Sequence, residues 1–290
     1  MWDEQYDQAE VHNVAFQRGA GIIPLMSEIA GEQHVVQPLS PQTVDPEIDA
    51  MLKAGVHFGH VKSKNHPSMQ PYIFGVRNTI SVIDLTKTKE LLSKALEFMK
   101  GIASRGGIVL FVGTRPSARN VITEIAQKTK MPYFAQRWIG GTLTNHKVIL
   151  RRVAYLESLE QERATGGFEK YTKKERMKKE EEIARLTKIF DGIRLLTRLP
   201  DAVCVVDTIE DETAVREAKR KKIPIVALVD TNANASIIDY PIPSNDDAVP
   251  AVQYMVRRIG EAIEEGQRMA AEKKGEEKTD VGDEEKKENV

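Results

Sequence analysis

The chain has 290 residues with a formal net charge of −1, and 41% of its residues are apolar, which is enough to bury a substantial core. No stretch approaches the roughly 18 consecutive apolar residues of a membrane-spanning helix, so we expect no membrane partner. Cys204 is the only cysteine, which excludes an internal disulfide and indicates a reducing compartment. Because the acidic N-terminal segment also lacks the basic region of a secretory signal, we predict a cytoplasmic protein.

The charge is unevenly distributed along the chain. Residues 1–45 carry a net charge of −6 and residues 271–290 carry −3, which leaves +8 on residues 46–270. The composition of the first segment predicts an acidic, mostly disordered extension, and the Lys/Glu-rich last segment predicts a disordered charged tail. The basic body between them favours a polyanionic partner.

The body begins with a short helix and a segment without acids. Asp45 and Pro46 are typical of a helix start and Gly55 of a helix end, which predicts a helix over residues 46–54. Residues 57–83 contain no Asp or Glu. The candidate RNA-binding residues in this segment are His57, His60, Lys62, Lys64 and Arg77.

Histidines 57, 60 and 66 raise the alternative of a metal site. No Cys or carboxylate lies near them in the sequence, and their spacing matches no familiar set of zinc ligands. We therefore predict neither a metal nor any other cofactor.

Residues 108–112 form a continuous apolar run of the kind that parallel sheets bury on both faces. The run ends at Gly113 and Thr114, a position that commonly binds ligands in open parallel sheets, and these two residues could cradle a phosphate. Neither a dinucleotide fingerprint nor a complete phosphate loop is present, so a nucleotide site here stays an alternative. Arg115 and Arg119 follow as candidate RNA contacts at the start of a helix predicted to end near Thr129.

Residues 136–145 read QRWIGGTLTN and come between a predicted strand and a long helix. Their paired glycines allow close backbone approach, and Thr142 or Thr144 is suited to cap the helix, whose free N–H groups attract phosphate. Arg137 adds a planar cation and Trp138 a stacking surface. The competing interpretation is a tight loop around a buried tryptophan.

Charge favours the phosphate interpretation of this loop. Residues 115–152 contain eight Lys or Arg against one acid, Glu124. Besides Arg137, Trp138 and Thr142, the candidate RNA-binding residues here are Lys147, Arg151 and Arg152.

Two apolar seams follow, at spacings of three and four residues, in residues 149–159 and 183–193. They predict a coiled-coil helical hairpin over residues 143–192, inserted into the body as a protruding element. Lysines crowd its return helix among glutamates, so most of them belong to a solvated face. We retain Lys170, Lys173 and Lys174 as candidate RNA contacts.

The later part of the body repeats a rhythm of strand, helix and strand. The apolar runs 202–206 and 225–229 end in Asp207 and Asp230, which predict local caps, although an enzyme could use such a pair to hold a metal. A final helix is expected to end near Met269. The alternation predicts a doubly wound, mainly parallel α/β sheet flanked by helices, carrying the inserted hairpin.

Four motifs resemble those of one family, the bacterial-type small-subunit ribosomal protein two, over about residues 50–266. They read AGVHFGH at residues 54–60, PYIFGVRN at 71–78, RWIGGTLTN at 137–145 and DYPIPSNDD at 239–247. The resemblance implies the α/β fold and a structural, non-enzymatic role in the small ribosomal subunit, where the chain would bind small-subunit rRNA and support translation.

The resemblance also implies neighbouring small-subunit ribosomal proteins as partners, including the large ribosomal protein that captures messenger RNA, with no homo-oligomer. Two alternatives stay open. One is a cytoplasmic nucleotide-dependent enzyme with a phosphate site at Gly113 and Thr114 and acids at Asp207 and Asp230. The other is an RNA-binding regulator that does not enter a ribosome.

Overall fold

The structure is a computed structural model that describes residues 45–287, with side chains described as far as residue 272. Most of the predicted acidic extension therefore lies outside the described residues. Asp45 belongs to the body rather than to the extension, because its carboxylate accepts the Glu47 amide at 3.0 Å and pairs with Lys89. This cap begins the first helix, which ends at Gly55 with a left-handed φ of 77°.

Five parallel strands form the central sheet. They are β4 (Val109–Val112), β5 (Tyr133–Phe134), β6 (Ala202–Val205), β7 (Ile225–Val229) and β8 (Tyr240–Pro243). Their order across the sheet is β5-β4-β6-β7-β8. Strand β8 contains two prolines, which have no backbone N–H to donate to a neighbouring strand. Its sequence therefore suits an edge position.

Seven α-helices accompany the strands in the described part of the chain. They are α1 (Pro46–Ala54), α2 (Leu85–Ser104), α3 (Pro116–Thr129), α4 (His146–Ala164), α5 (Lys173–Phe190), α6 (Glu212–Lys221) and α7 (Val249–Lys287). None of these helices is both long and apolar enough to cross a membrane.

Alternate residues of the buried strands face opposite layers. Phe111 and Cys204 point into a core shared with α2, α3 and α7, whereas Leu110 and Val205 point into one shared with α4, α5 and α6. Burial on both faces explains why these strands are continuous apolar runs. The predicted doubly wound α/β fold is confirmed.

A second sheet precedes the central one in the chain. Its strands, β1 (Phe58–Val61), β2 (Ile73–Arg77) and β3 (Ile80–Ile83), are antiparallel in the order β1-β3-β2. Asn78 and Thr79 connect β2 to β3 with φ angles of 48° and 67°, the conformation of a tight hairpin turn. Phe74 on this sheet is 80% exposed.

The structure differs from the sequence prediction in two helix boundaries. Helix α4 begins at His146 instead of Leu143, because residues 141–145 form a turn. Helix α7 continues to Lys287, well beyond the predicted end at Met269. The last residues are rich in Glu and Lys, which favour helix. Helices α4 and α5 occupy the region of the proposed insertion, and its protruding coiled-coil geometry stays a prediction.

Candidate nucleic-acid interface

The loop between β5 and α4 is organised around one buried carboxylate, that of Glu217 on α6. Its Oε1 accepts hydrogen bonds from Trp138 Nε1 at 3.0 Å and from the Gly141 amide at 2.7 Å. Its Oε2 accepts the amides of Leu143 and Thr144 and the Thr144 hydroxyl, each at 3.0 Å. Five donors of the loop therefore converge on a single side chain, which lies more than 70 residues away in the sequence.

This network corrects the phosphate site predicted at the loop. The amide groups that would bind a phosphate already bind Glu217, so an internal anion fills the position. Burial acts to raise the pKa of Glu217, but the hydrogen bonds from Thr144, Trp138 and Gly141 hold the pKa below its usual value. The carboxylate therefore stays ionised and the loop stays closed around it.

Trp138 and Thr142 belong to the interior of this loop, in contrast to their predicted RNA contacts. Trp138 is only 8% exposed, and its ring packs against Phe134 with centroids 4.9 Å apart. Thr142 is fully buried and its hydroxyl donates to the Ile139 carbonyl at 2.7 Å. Both side chains therefore pack within the loop. The competing interpretation, a tight loop around a buried tryptophan, describes the inner side of the loop.

The outer side of the loop has a different character. Arg137 is exposed, as are Lys147, Arg151 and Arg152 on α4. Among the residues whose side chains are described, none of these four forms an ion pair with an acid. Their charges are thus available to a ligand in solution.

A second network fills the crevice where the strand order reverses. The chain leaves β4 toward β5 on one side and returns to β6 on the other, so the carboxyl ends of β4 and β6 border the position at which doubly wound folds bind ligands. There the Arg115 guanidinium forms ion pairs with Asp207, Asp246 and Asp247. Arg115 is therefore half-buried and held by three carboxylates, in contrast to its predicted contact with RNA.

Neighbouring groups close the predicted phosphate position at Gly113 and Thr114. The amide and hydroxyl of Thr114 donate to Asp211 at 3.2 and 3.0 Å, and Arg119 Nε donates to the Thr114 carbonyl at 2.9 Å. Gly113 has no room for a side chain, since an added Cβ would lie 2.2 Å from Ile122. A phosphate would have to displace this packing and meet a carboxylate.

The two strand-end acids act as the predicted caps. Asp207 accepts the amides of Ile209 and Glu210 at 2.7 and 3.0 Å, and Asp230 accepts the amide and hydroxyl of Thr231. Within the described residues, no group of three or more His, Cys, Asp or Glu side chains is arranged to hold a metal ion.

His60 joins the same network from β1. Its Nδ1 lies 3.1 Å from Asp230 and its Nε2 lies 3.3 Å from Asp247, so its ring is held by carboxylates rather than presented to RNA. The hydrogen bond with Asp230 raises the pKa of His60. Burial raises the pKa of the neighbouring Asp246 to about 8, with Asp207 and Asp230 adding to the shift.

The remaining candidates divide by exposure. His57 is half-buried, and burial lowers its pKa. Lys170 is tied to Glu162 at 2.9 Å. The others are exposed and form no ion pair with any described side chain: Lys62, Lys64, Arg77, Lys173 and Lys174. With the four cations beside the loop, nine predicted contacts therefore stay open to a ligand.

Fold and site together define a class of protein, a doubly wound α/β protein whose ligand crevice is filled by internal ion pairs. Its outer surface presents cations that form no ion pair within the described part of the chain. Comparison with known proteins specifies the class further. Residues 51–266 match the family model of Ribosomal protein S2. The chain belongs to the Ribosomal protein S2 family.

Curated relatives agree with this assignment. The chain is 46% identical over 220 residues to the small ribosomal subunit protein uS2 of Dehalococcoides mccartyi strain BAV1, covering 76% of this chain and 90% of that protein. It is 47% identical over 221 residues to the protein of the same name from Chloroflexus aurantiacus strain J-10-fl, covering 76% and 93%. The corresponding protein of Roseiflexus castenholzii is 46% identical over 217 residues, covering 75% and 82%.

Proposed function

We propose that the chain is a structural constituent of the small ribosomal subunit that binds small-subunit rRNA and supports translation. The observation that carries this function is the set of nine exposed cations that form no ion pair with any described side chain, displayed by a member of the Ribosomal protein S2 family. Exposed Lys and Arg groups bind RNA phosphates with little dependence on base sequence.

The enzyme alternative is not favoured. The family is a structural component of the small subunit rather than a catalyst. In addition, Arg115 and Asp211 occupy the crevice that a nucleotide would need.

Finer parts of the proposal concern partners and location. Neighbouring small-subunit proteins, including the large ribosomal protein that captures messenger RNA, are proposed to contact the chain in the cytoplasm. Exposed apolar side chains on the three-stranded sheet support a protein contact, since Phe58, Phe74 and Val76 are all at least 47% exposed.

A salt titration tests the RNA-binding part of the function. The affinity for small-subunit rRNA is expected to fall steeply with salt, because each neutralised phosphate releases counterions and contributes about −0.9 for duplex or about −0.7 for single-stranded RNA to the log–log slope. Filter binding at several KCl concentrations measures the slope. An affinity that does not change with salt would show that phosphates contribute little, and the nine cations would lose their assigned role.

A further inference from the structure

A cavity of about 450 Å³ opens beside Arg137, between the β5–α4 loop and the end of α5. Its lining includes Arg137, Trp138, Ile139, Lys188, Ile189 and Phe190. We name it the Arg137 groove. Its size falls within the range of about 300–1,000 Å³ that is usual for small-ligand sites.

The groove combines two cations with an apolar surface. Arg137 comes from the loop and Lys188 from the last turn of α5, and neither forms an ion pair with any described side chain. In the same lining, Ile189 is 40% exposed and Ile139 is half-buried. A ligand that suits this lining carries negative charge and also has a flat or apolar part.

The groove continues past Lys188 along the edge of the sheet. A second cavity, of about 290 Å³, shares Gln136, Lys188 and Ile189 with the first, and Tyr133, Thr123 and Thr187 also line it. Strand β5 is the edge strand here. Asp191 also lines this second cavity, where its carboxylate accepts from Arg194 Nε at 2.9 Å, and the Thr123 hydroxyl donates to the Arg119 carbonyl at 2.9 Å. The second cavity is therefore less suited to an anion than the Arg137 groove.

The wall that carries Arg137 is held in place. Trp138, the next residue, donates a hydrogen bond to the Glu217 carboxylate, as do the amides of Gly141, Leu143 and Thr144 further along the loop. Because these bonds fix the backbone on one side of Arg137, less conformational entropy is lost when its side chain binds a ligand.

We propose that the Arg137 groove binds one unpaired nucleotide of small-subunit rRNA, with its phosphate between Arg137 and Lys188 and its base against Ile139 and Ile189. This inference rests on the proposed function and specifies that the groove binds unpaired rather than duplex RNA. Unpaired bases can enter such a cavity, whereas a duplex keeps its bases stacked inside. The inference also adds Lys188 and Ile189, which lie outside the cation-rich segment 115–152.

Lys188 has a competing structural role. A cation in the last turn of a helix interacts favourably with the negative end of the helix dipole. Such a role would affect the stability of α5 and leave RNA affinity unchanged, so the test measures both quantities.

Two pairs of substitutions in the full-length chain separate these roles. Lys188→Ala is compared with Lys178→Ala, which removes the same charge from another exposed position of α5. Ile189→Ser is compared with Met177→Ser, which changes another exposed apolar residue of that helix. The dissociation constant for small-subunit rRNA and the melting temperature are measured for each variant.

Lys188→Ala is expected to weaken rRNA binding roughly fivefold to tenfold, the effect of one charge-assisted hydrogen bond, and Lys188→Arg to retain most of the affinity. Ile189→Ser is expected to weaken binding about threefold through lost apolar contact. The two controls should change it less than twofold. If Lys188→Ala binds like Lys178→Ala, or Ile189→Ser like Met177→Ser, the groove does not hold a nucleotide. If the wild-type chain fails to bind rRNA, the proposed function itself is wrong.

Discussion

Glu217→Ala is expected to lower the free energy of unfolding by roughly 3 kcal/mol, because buried donors lose their acceptor. The change removes the acceptor for five donors of the β5–α4 loop, three of them backbone amides. Water entering the gap would satisfy only some of them. Urea denaturation followed by tryptophan fluorescence measures the loss, and Trp138 itself reports on the loop.

Two further variants calibrate this result. Glu217→Gln keeps one acceptor oxygen but turns an NH₂ group toward N–H donors, so its loss should lie between wild type and Glu217→Ala. Glu212 is an exposed residue of the same helix, and its Oε1 lies 3.6 Å from Arg216 Nε. Glu212→Ala should therefore change the free energy of unfolding by no more than about 0.5 kcal/mol. Equal effects of Glu217→Ala and Glu212→Ala would show that the buried network contributes no measurable stability.

Arg137→Ala is expected to weaken rRNA binding by roughly 1–3 kcal/mol, because a charge-assisted hydrogen bond to phosphate is lost. The melting temperature should stay close to that of the wild type, since Arg137 is exposed and forms no ion pair with any described residue. Arg137→Lys should recover only part of the affinity, because an ammonium keeps the charge without the planar fork. Filter binding at constant salt gives the affinities.

Arg257→Ala provides the charge-matched control for Arg137. Arg257 is an exposed residue of α7, which packs on the face of the sheet opposite to α6 and its loop. Its removal should change rRNA affinity much less than the removal of Arg137. If Arg137→Ala unfolds the body, or binds rRNA as tightly as the wild type, the role assigned to Arg137 must be withdrawn.

Local patterns of the sequence were sufficient to predict most of the fold. Asp45, Pro46 and Gly55 define the limits of α1 because capping depends on a few neighbouring residues. The apolar runs of β4 and β6 predicted buried parallel strands because both of their faces are covered. Strand β1 was not predicted, since it has only four residues, two of which are exposed and one of which is a glycine.

The candidate site was less predictable because its decisive contacts join distant parts of the chain. Glu217 is separated from the loop that it binds by more than 70 residues of sequence, and Arg115 is separated from Asp246 by 131 residues. A count of cations treats Arg115 and Arg137 alike, although one is held by carboxylates and the other is free of described acids. One signal was available: Glu217 shares a helical face with the apolar residues Ala214 and Ala218, where a carboxylate needs partners.

Sedimentation measures directly whether this chain is a constituent of the small ribosomal subunit. A tagged full-length copy is expressed in cells, and lysates are fractionated on sucrose gradients under conditions that separate the subunits. The tagged chain is expected to sediment with small-subunit rRNA and to stay with it at moderate salt. A chain that remains at the top of the gradient, or sediments with RNA outside the small subunit, would contradict it.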